Sequence, residues 1–168
     1  MNTKALQKIS YGMYVIGSKS GERLNGQIAN TVVQTTSEPP MIAVCINKQN
    51  LTHEFIKESG VFSASVLSEE TPMLFIGHFG FKSGRDFDKF EGMNYRAGQT
   101  GAPIVLDNAT AFIEAEVVGS MDAGSHTMFF GKVIDCDLLA EGTPMTYAFY
   151  HEVKRGKSPK AAPTYIKE

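Results

Sequence analysis

ATAFIEAEVVGSMDAGSHTMFFGKVIDCDLL, residues 109–139, reads as two long β-strands joined by a tight turn. Over 109–119, Phe112, Glu114 and Glu116 fall on one side, and Ala111, Ile113, Ala115 and Val117 on the other. Asp122-Ala123-Gly124-Ser125 supplies turn residues, and 126–139 runs back, so the segment predicts a hairpin.

Working outward, most of the remaining chain also reads as strands. Residues 11–18 are β-rich, 21–26 supply turn residues, and 27–36 form a second strand, which predicts an opening hairpin. Pro39-Pro40 punctuates before 41–46, a continuous apolar run suited to a buried strand. Val61–Leu67 alternates as a half-buried strand should, and 145–150 reads as a last short strand. Two helices stand out. Leu51–Ser59 carries Leu51, Phe55 and Ile56 on one face, with Asn50 or Thr52 as cap and Gly60 as stop. Residues 72–78 form a shorter one, with Thr71 as cap and Pro72 in the first turn. Several short strands around few helices favour a mainly β fold, a closed or partly open barrel, over a parallel sheet. One domain is expected over 1–153, followed by an extended tail over 154–168 that holds Pro159, Pro163 and four lysines and lies over something.

With 42% hydrophobic and 20% charged residues, the composition is that of a globular domain rather than a disordered or fibrous chain. A net charge of −2 with no basic stripe argues against a nucleic-acid partner. No run approaches the roughly 20 apolar residues of a membrane span, and residues 1–8 lack a signal-peptide core, so a cytoplasmic location is expected. Cys45 and Cys136 then read as buried free thiols rather than a disulfide.

Familiar catalytic patterns are missing. Gly156-Lys157-Ser158 fails as a P-loop because His151 stands where its first glycine belongs. No Gly-x-Gly-x-x-Gly opens a helix, no Cys-x-x-Cys exists, and His53, His78, His126 and His151 have no metal-ligand spacing. A cofactor or a binding surface must carry the function.

Three segments suggest a ligand. Phe79-Gly80-Phe81-Lys82-Ser83-Gly84-Arg85-Asp86 combines two cations, a hydroxyl and glycines, which suits a phosphate; a solvated charged turn is the plainer alternative. Asn25-Gly26-Gln27-Ile28-Ala29-Asn30-Thr31 could present polar backbone edge-on to a flat heteroaromatic ring, or could be a polar strand end. Asn47-Lys48-Gln49-Asn50-Leu51-Thr52 ends a strand and opens a helix, where anions are favoured and plain capping also fits. Together they reach no further than a β-rich domain with places that a phosphorylated aromatic ligand could occupy.

The same residues resemble a known family. Asn30-Thr31, Pro39-Pro40, Leu51-Thr52 and 62–67 are similar to the flavin reductase-like, FMN-binding split-barrel proteins. GFKSGRDFDKF (80–90), GAPI (101–104), SHTMFFGKV (125–133) and the ending 147–166 narrow the resemblance to the flavodomain of anaerobes, found alone as flavoredoxin-like proteins or fused ahead of a rubredoxin. This resemblance implies a split β-barrel of Greek-key-like antiparallel strands that binds FMN and forms a homodimer, with the site near the interface. It places Gln27, Ala29, Asn30 and Thr31 at the ring edge, Asn47 and Lys48 along the ribityl chain, and Thr52, Lys82, Ser83 and Arg85 at the phosphate. His126 matches a family histidine near flavin and nicotinamide; a hydrogen-bonded barrel histidine is the other reading.

The implied activity is hydride transfer from NADH or NADPH to FMN, then electron transfer to a rubredoxin, a flavin or a ferric chelate. A non-enzymatic electron carrier between protein partners is the second expectation, and a pure FMN-binding module the third. No rubredoxin iron site occurs within these residues, so such an acceptor would be a separate protein or lie beyond Glu168.

Overall fold

A computed structural model describes residues 1–160 and 162–165. After a 3-10 helix at Thr3–Lys8, strand β1 (Tyr14–Ser20) turns through Gly21 and Glu22 into β2 (Arg23–Ala29). Asn30 and Thr31 then lead to β3 (Val32–Ser37), which turns at Glu38 and Pro39 into β4 (Pro40–Asn47). Helix α1 (Leu51–Ser59), β5 (Val61–Leu67) and helix α2 (Met73–Gly80) follow. A small ribbon of β6 (Tyr95–Ala97) and β7 (Pro103–Val105) precedes the long pair β8 (Ala109–Ala123) and β9 (His126–Leu138). Helix α3 (Tyr147–Glu152) is the last regular element among the described residues.

Seven strands make one antiparallel sheet in the order β2-β1-β5-β8-β9-β4-β3. Its two edge strands, β2 and β3, are consecutive in the chain and separated only by Asn30 and Thr31. Ala29 and Val32 therefore lie at most about 11 Å apart, since a residue advances the chain by no more than ~3.8 Å. The sheet must roll until its edges meet, which makes a barrel left open along one seam.

Two apolar cores hold this shape. Ile16, Ile42, Val44, Ile46, Phe62, Ala64, Ala115 and Phe129 fill the barrel with Ile56 of α1. Outside it, Met13, Val15, Leu67, Ile76, Phe79, Phe90, Val105, Met145 and Tyr150 pack the helices and the ribbon against β1 and β5. Strand β1 thus feeds one core with Ile16 and the other with Val15, and β5 does the same with Phe62 and Leu67.

The mainly β reading holds, as do α1 with its Gly60 stop at φ 71, the β8–β9 hairpin and the strand Val61–Leu67. Several local readings need correction. Residues 21–26 are not the turn: only Gly21 (φ 55) and Glu22 are, and Asn25-Gly26 lies within β2. Gly26 is small because a Cβ there would sit 3.1 Å from the Phe79 ring. The single strand expected over 27–36 breaks at Asn30-Thr31, where the chain passes from one sheet edge to the other. Val61–Leu67 is not half-buried; cores on both sides cover it. Pro72 is the N-cap of α2 rather than a first-turn residue.

The strand expected over 145–150 is instead mostly α3. Thr146 accepts a hydrogen bond from the Phe149 backbone N–H at 3.1 Å and starts a helix, and a short aromatic run does not distinguish the two periods. Both cysteines are free as expected, but Cys45 is only half-buried and Cys136 is exposed. Among the described residues no helix is long and apolar enough to cross a membrane.

Candidate functional site

Ile42, Val44 and Ile46 point into the barrel, so the alternate residues Cys45 and Asn47 of β4 face outward. There they join β2, the start of α1, the loop after α2, and the tail around a cleft of about 260 Å³. Nine of the eleven residues singled out from the sequence line it: Gln27, Ala29, Asn30, Asn47, Thr52, Lys82, Ser83, Arg85 and His126. Thr31 and Lys48 do not. Thr31 spends its hydroxyl on Asn30 Oδ1 at 3.0 Å, and the Lys48 ammonium is held by the Asp122 carboxylate at 2.7 Å.

One wall is built from β2 and α1. Asn25 is buried, and its Nδ2 donates to Thr52 Oγ1 at 2.8 Å, which joins β2 to the first turn of α1. Two acceptors remain without a partner on that wall, Asn25 Oδ1 and Gln27 Oε1. An unpaired buried acceptor costs about 1–3 kcal/mol, so two of them on one cleft mark a place for donors from a ligand. Gly84 closes over this spot: a Cβ there would lie 1.9 Å from Asn25 Oδ1, so only glycine lets the loop approach.

The lining also holds Asn47 and His126, paired across β4 and β9. Asn47 Oδ1 accepts from the Gln49 N–H at 2.9 Å, shaping the turn into α1, and Ser125 Oγ lies 2.9 Å from His126 Nδ1. Both residues are buried to within a tenth. The loop after α2 carries Lys82, Ser83 and Arg85 at the exposed rim. Arg85 is committed to Glu54, with Nη1 at 3.2 Å from Oε2, and this pairing holds the Glu54 carboxyl below its ordinary value. Lys82 lies over the Phe87 ring at 5.0 Å.

Sequence reading gave no site role to several wall residues, Asn25 among them although it opens the segment 25–31. Asn25 lies two positions before Gln27 in β2, so a period of two was the available signal. Cys45, whose thiol burial pushes up, was read only for its redox state. Lys89, Tyr147 and Tyr150 carried no local signal at all, because tertiary packing brings them in. The tail contributes Lys157, Pro159 and Pro163. The expected tail also covers residues 161 and 166–168, which lie outside the described residues.

Residues 6–156 match the flavin reductase like domain. The chain belongs to that family. Within the flavin reductase-like proteins it is 55% identical to the high molecular weight rubredoxin of Moorella thermoacetica, over 98% of this chain and 72% of that one. It is 51% identical to the ferric-chelate reductase (NAD(P)H) of Archaeoglobus fulgidus, over 99% and 98%. Among solved structures, an FMN-binding protein from Thermus thermophilus with bound 1-cyclohex-2-enone superposes with a TM-score of 0.71 at 28% identity, covering 77% of this chain and 71% of that one.

Proposed function

We propose that this protein is an FMN oxidoreductase that takes hydride from NAD(P)H and hands electrons to an acceptor. The observation that carries the reading is the unpartnered buried acceptor Gln27 Oε1 in the wall of a family cleft. A flavin ring offers an N–H donor at its pyrimidine edge, which suits Gln27, and the apolar surfaces of Ile28, Ala29, Ile76 and Phe79 suit its faces. The phosphate fits between Thr52 in the first turn of α1, Ser83 and the Gly84 backbone, where helix N–H groups favour an anion.

When bound, FMN supplies the redox chemistry: it accepts two electrons as hydride and releases them onward. The chain's own residues bind and orient. Asn30 and Ala29 fix the end of β2 against the ring edge, and Asn47 shapes the turn toward the ribityl chain. His126, fixed by Ser125 through Nδ1, lines the cleft where it would meet the nicotinamide or the acceptor. Beyond the domain over 1–153, the described tail residues 154–160 and 162–165 act as a strap across the cleft, bonded to it through Ser158 and Thr164.

The names of the two relatives support a rubredoxin-like protein or a ferric chelate as acceptor. A cytoplasmic homodimer completes the reading; Val33, Val118 and Met121 are each more than half exposed and offer apolar surface for a second copy. The deciding experiment is an anaerobic absorbance spectrum of the purified protein before and after NADH and then NADPH. Flavin bands bleached by either nucleotide support the enzyme. Bands that persist until dithionite is added support a carrier, and a colourless protein that takes up no FMN overturns both.

A further inference from the structure

Lys89 lies ten residues beyond Phe79, yet its ammonium returns to that residue's carbonyl at 3.0 Å and to the Gly26 carbonyl at 2.9 Å. Phe79 is in the last turn of α2, where exposed carbonyls favour a cation, and Gly26 is on the edge strand β2. The side chain is only 4% exposed. Burial pulls its ammonium down to about 8 from an ordinary 10.5. Among the described residues, no carboxylate pairs with it; the ion pairs are Lys48–Asp122 and Arg85–Glu54.

A buried ammonium without a counter-charge is costly, and a fold that keeps one at a cleft wall marks a candidate functional group. Lys89 lines the cleft beside Asn25 and Gln27. An ammonium has three N–H groups, and two are spent on carbonyls, so one remains for a ligand. The other cations of that end are differently placed: Arg85 is neutralised by Glu54, and Lys82 is exposed over Phe87. Lys89 is the buried charge they do not supply.

We propose that Lys89 provides the buried positive charge for the phosphate of the flavin, so that the cleft selects FMN over riboflavin. This rests on the FMN reading of the cleft. An anion beside the ammonium favours its charged form, so binding restores the proton that burial loosens. FMN affinity then falls as pH rises through the window where free Lys89 gives up its proton. The other charged and titratable residues of the cleft are Lys82 and Arg85 of the loop, Cys45 of β4, His126 of β9, Tyr147 and Tyr150 of α3, and Lys157 of the tail, with His78 of α2 at the Lys89 backbone carbonyl and Glu54 of α1 paired to Arg85. Burial pushes Cys45 and Tyr150 above their ordinary values, away from that window.

The test measures dissociation constants of FMN and riboflavin by fluorescence quenching on flavin-free wild type, Lys89→Met and Lys89→Arg. Lys89→Met is expected to weaken FMN roughly 10- to 100-fold while changing riboflavin less than about threefold. Lys89→Arg keeps most of the preference. Between about pH 7 and about pH 9.5, wild type loses FMN affinity relative to riboflavin and Lys89→Met does not. Equal losses for both flavins in Lys89→Met would make Lys89 a structural pin and overturn the proposal. If that variant does not fold, the wild-type series decides, and an FMN-to-riboflavin ratio independent of pH overturns it. Wild type that binds riboflavin and FMN alike removes the phosphate site; wild type that binds neither removes the FMN reading itself.

Discussion

Asn30, just past the end of β2, donates through Nδ2 to Thr164 Oγ1 at 3.0 Å, across 134 positions of chain. Thr164 in turn donates to the Tyr147 hydroxyl at 3.0 Å, and that hydroxyl also meets Ser158 Oγ. One hydroxyl thus ties two points of the tail to α3. Thr164→Val and Tyr147→Phe should each loosen the tail by about 1 kcal/mol, or roughly fivefold in its open population. Tryptic cleavage after Lys157 and Lys160 in native buffer reads this; unchanged digestion rates would show that the tail is held elsewhere.

Gly84→Ala tests the close approach of the loop to β2. The new methyl would meet Asn25 Oδ1, and Asn25 cannot swing away without releasing Thr52. Overpacking of this kind costs about 1–3 kcal/mol. The variant should melt earlier and lose FMN affinity together; full retention of both would mean that the loop moves freely.

Glu114 is fully buried, and its carboxylate accepts from the Gln99 and Thr100 backbone N–H groups at 2.8 and 2.7 Å and from the Thr100 hydroxyl. It secures the turn between β6 and β7 to the barrel. Glu114→Gln turns one acceptor into a donor facing donors, and should cost about 2–4 kcal/mol. A urea midpoint equal to that of wild type would rule this out.

The Lys89 ammonium has a pH signature in the flavin-free protein. Its folded value lies near 8 and its ordinary value is 10.5, so the unfolded chain holds more protons between them. Stability therefore gains from this group as pH rises through that window, and the gain is lost as pH falls below it. Comparing urea unfolding of wild type and Lys89→Met at about pH 7.5 and about pH 10 isolates the contribution. An identical pH slope in both proteins would contradict it.

Features set by local pattern were legible in the sequence. Leu51, Phe55 and Ile56 share a helical face between Asn50 and Gly60, and α1 runs over the expected residues. Three wall segments were legible as polar strand ends and loops, while the nine individual wall residues, His126 among them, came from the family resemblance. Asn25-Gly26 looked like a turn because that dipeptide usually is one; the aromatic rings of Phe79 and Phe90 packed on Gly26 decide otherwise. Arg85 looked like a free cation because Glu54, 31 positions away, becomes its neighbour only when α1 and the loop dock. Lys89 and Glu114 were invisible for the same reason: a buried charge is defined by partners that sequence spacing does not reveal.

An open sheet usually exposes two edges, each a template on which a strand from another molecule can add and start an aggregate. Here Asn30 and Thr31 keep one end of those edges within about 11 Å of each other. The Gly26 carbonyl on β2 is already taken by a lysine side chain. An incoming strand would find its backbone partner occupied and too little width beside it. The two-residue link between the edge strands is in this way also a guard against fibril growth.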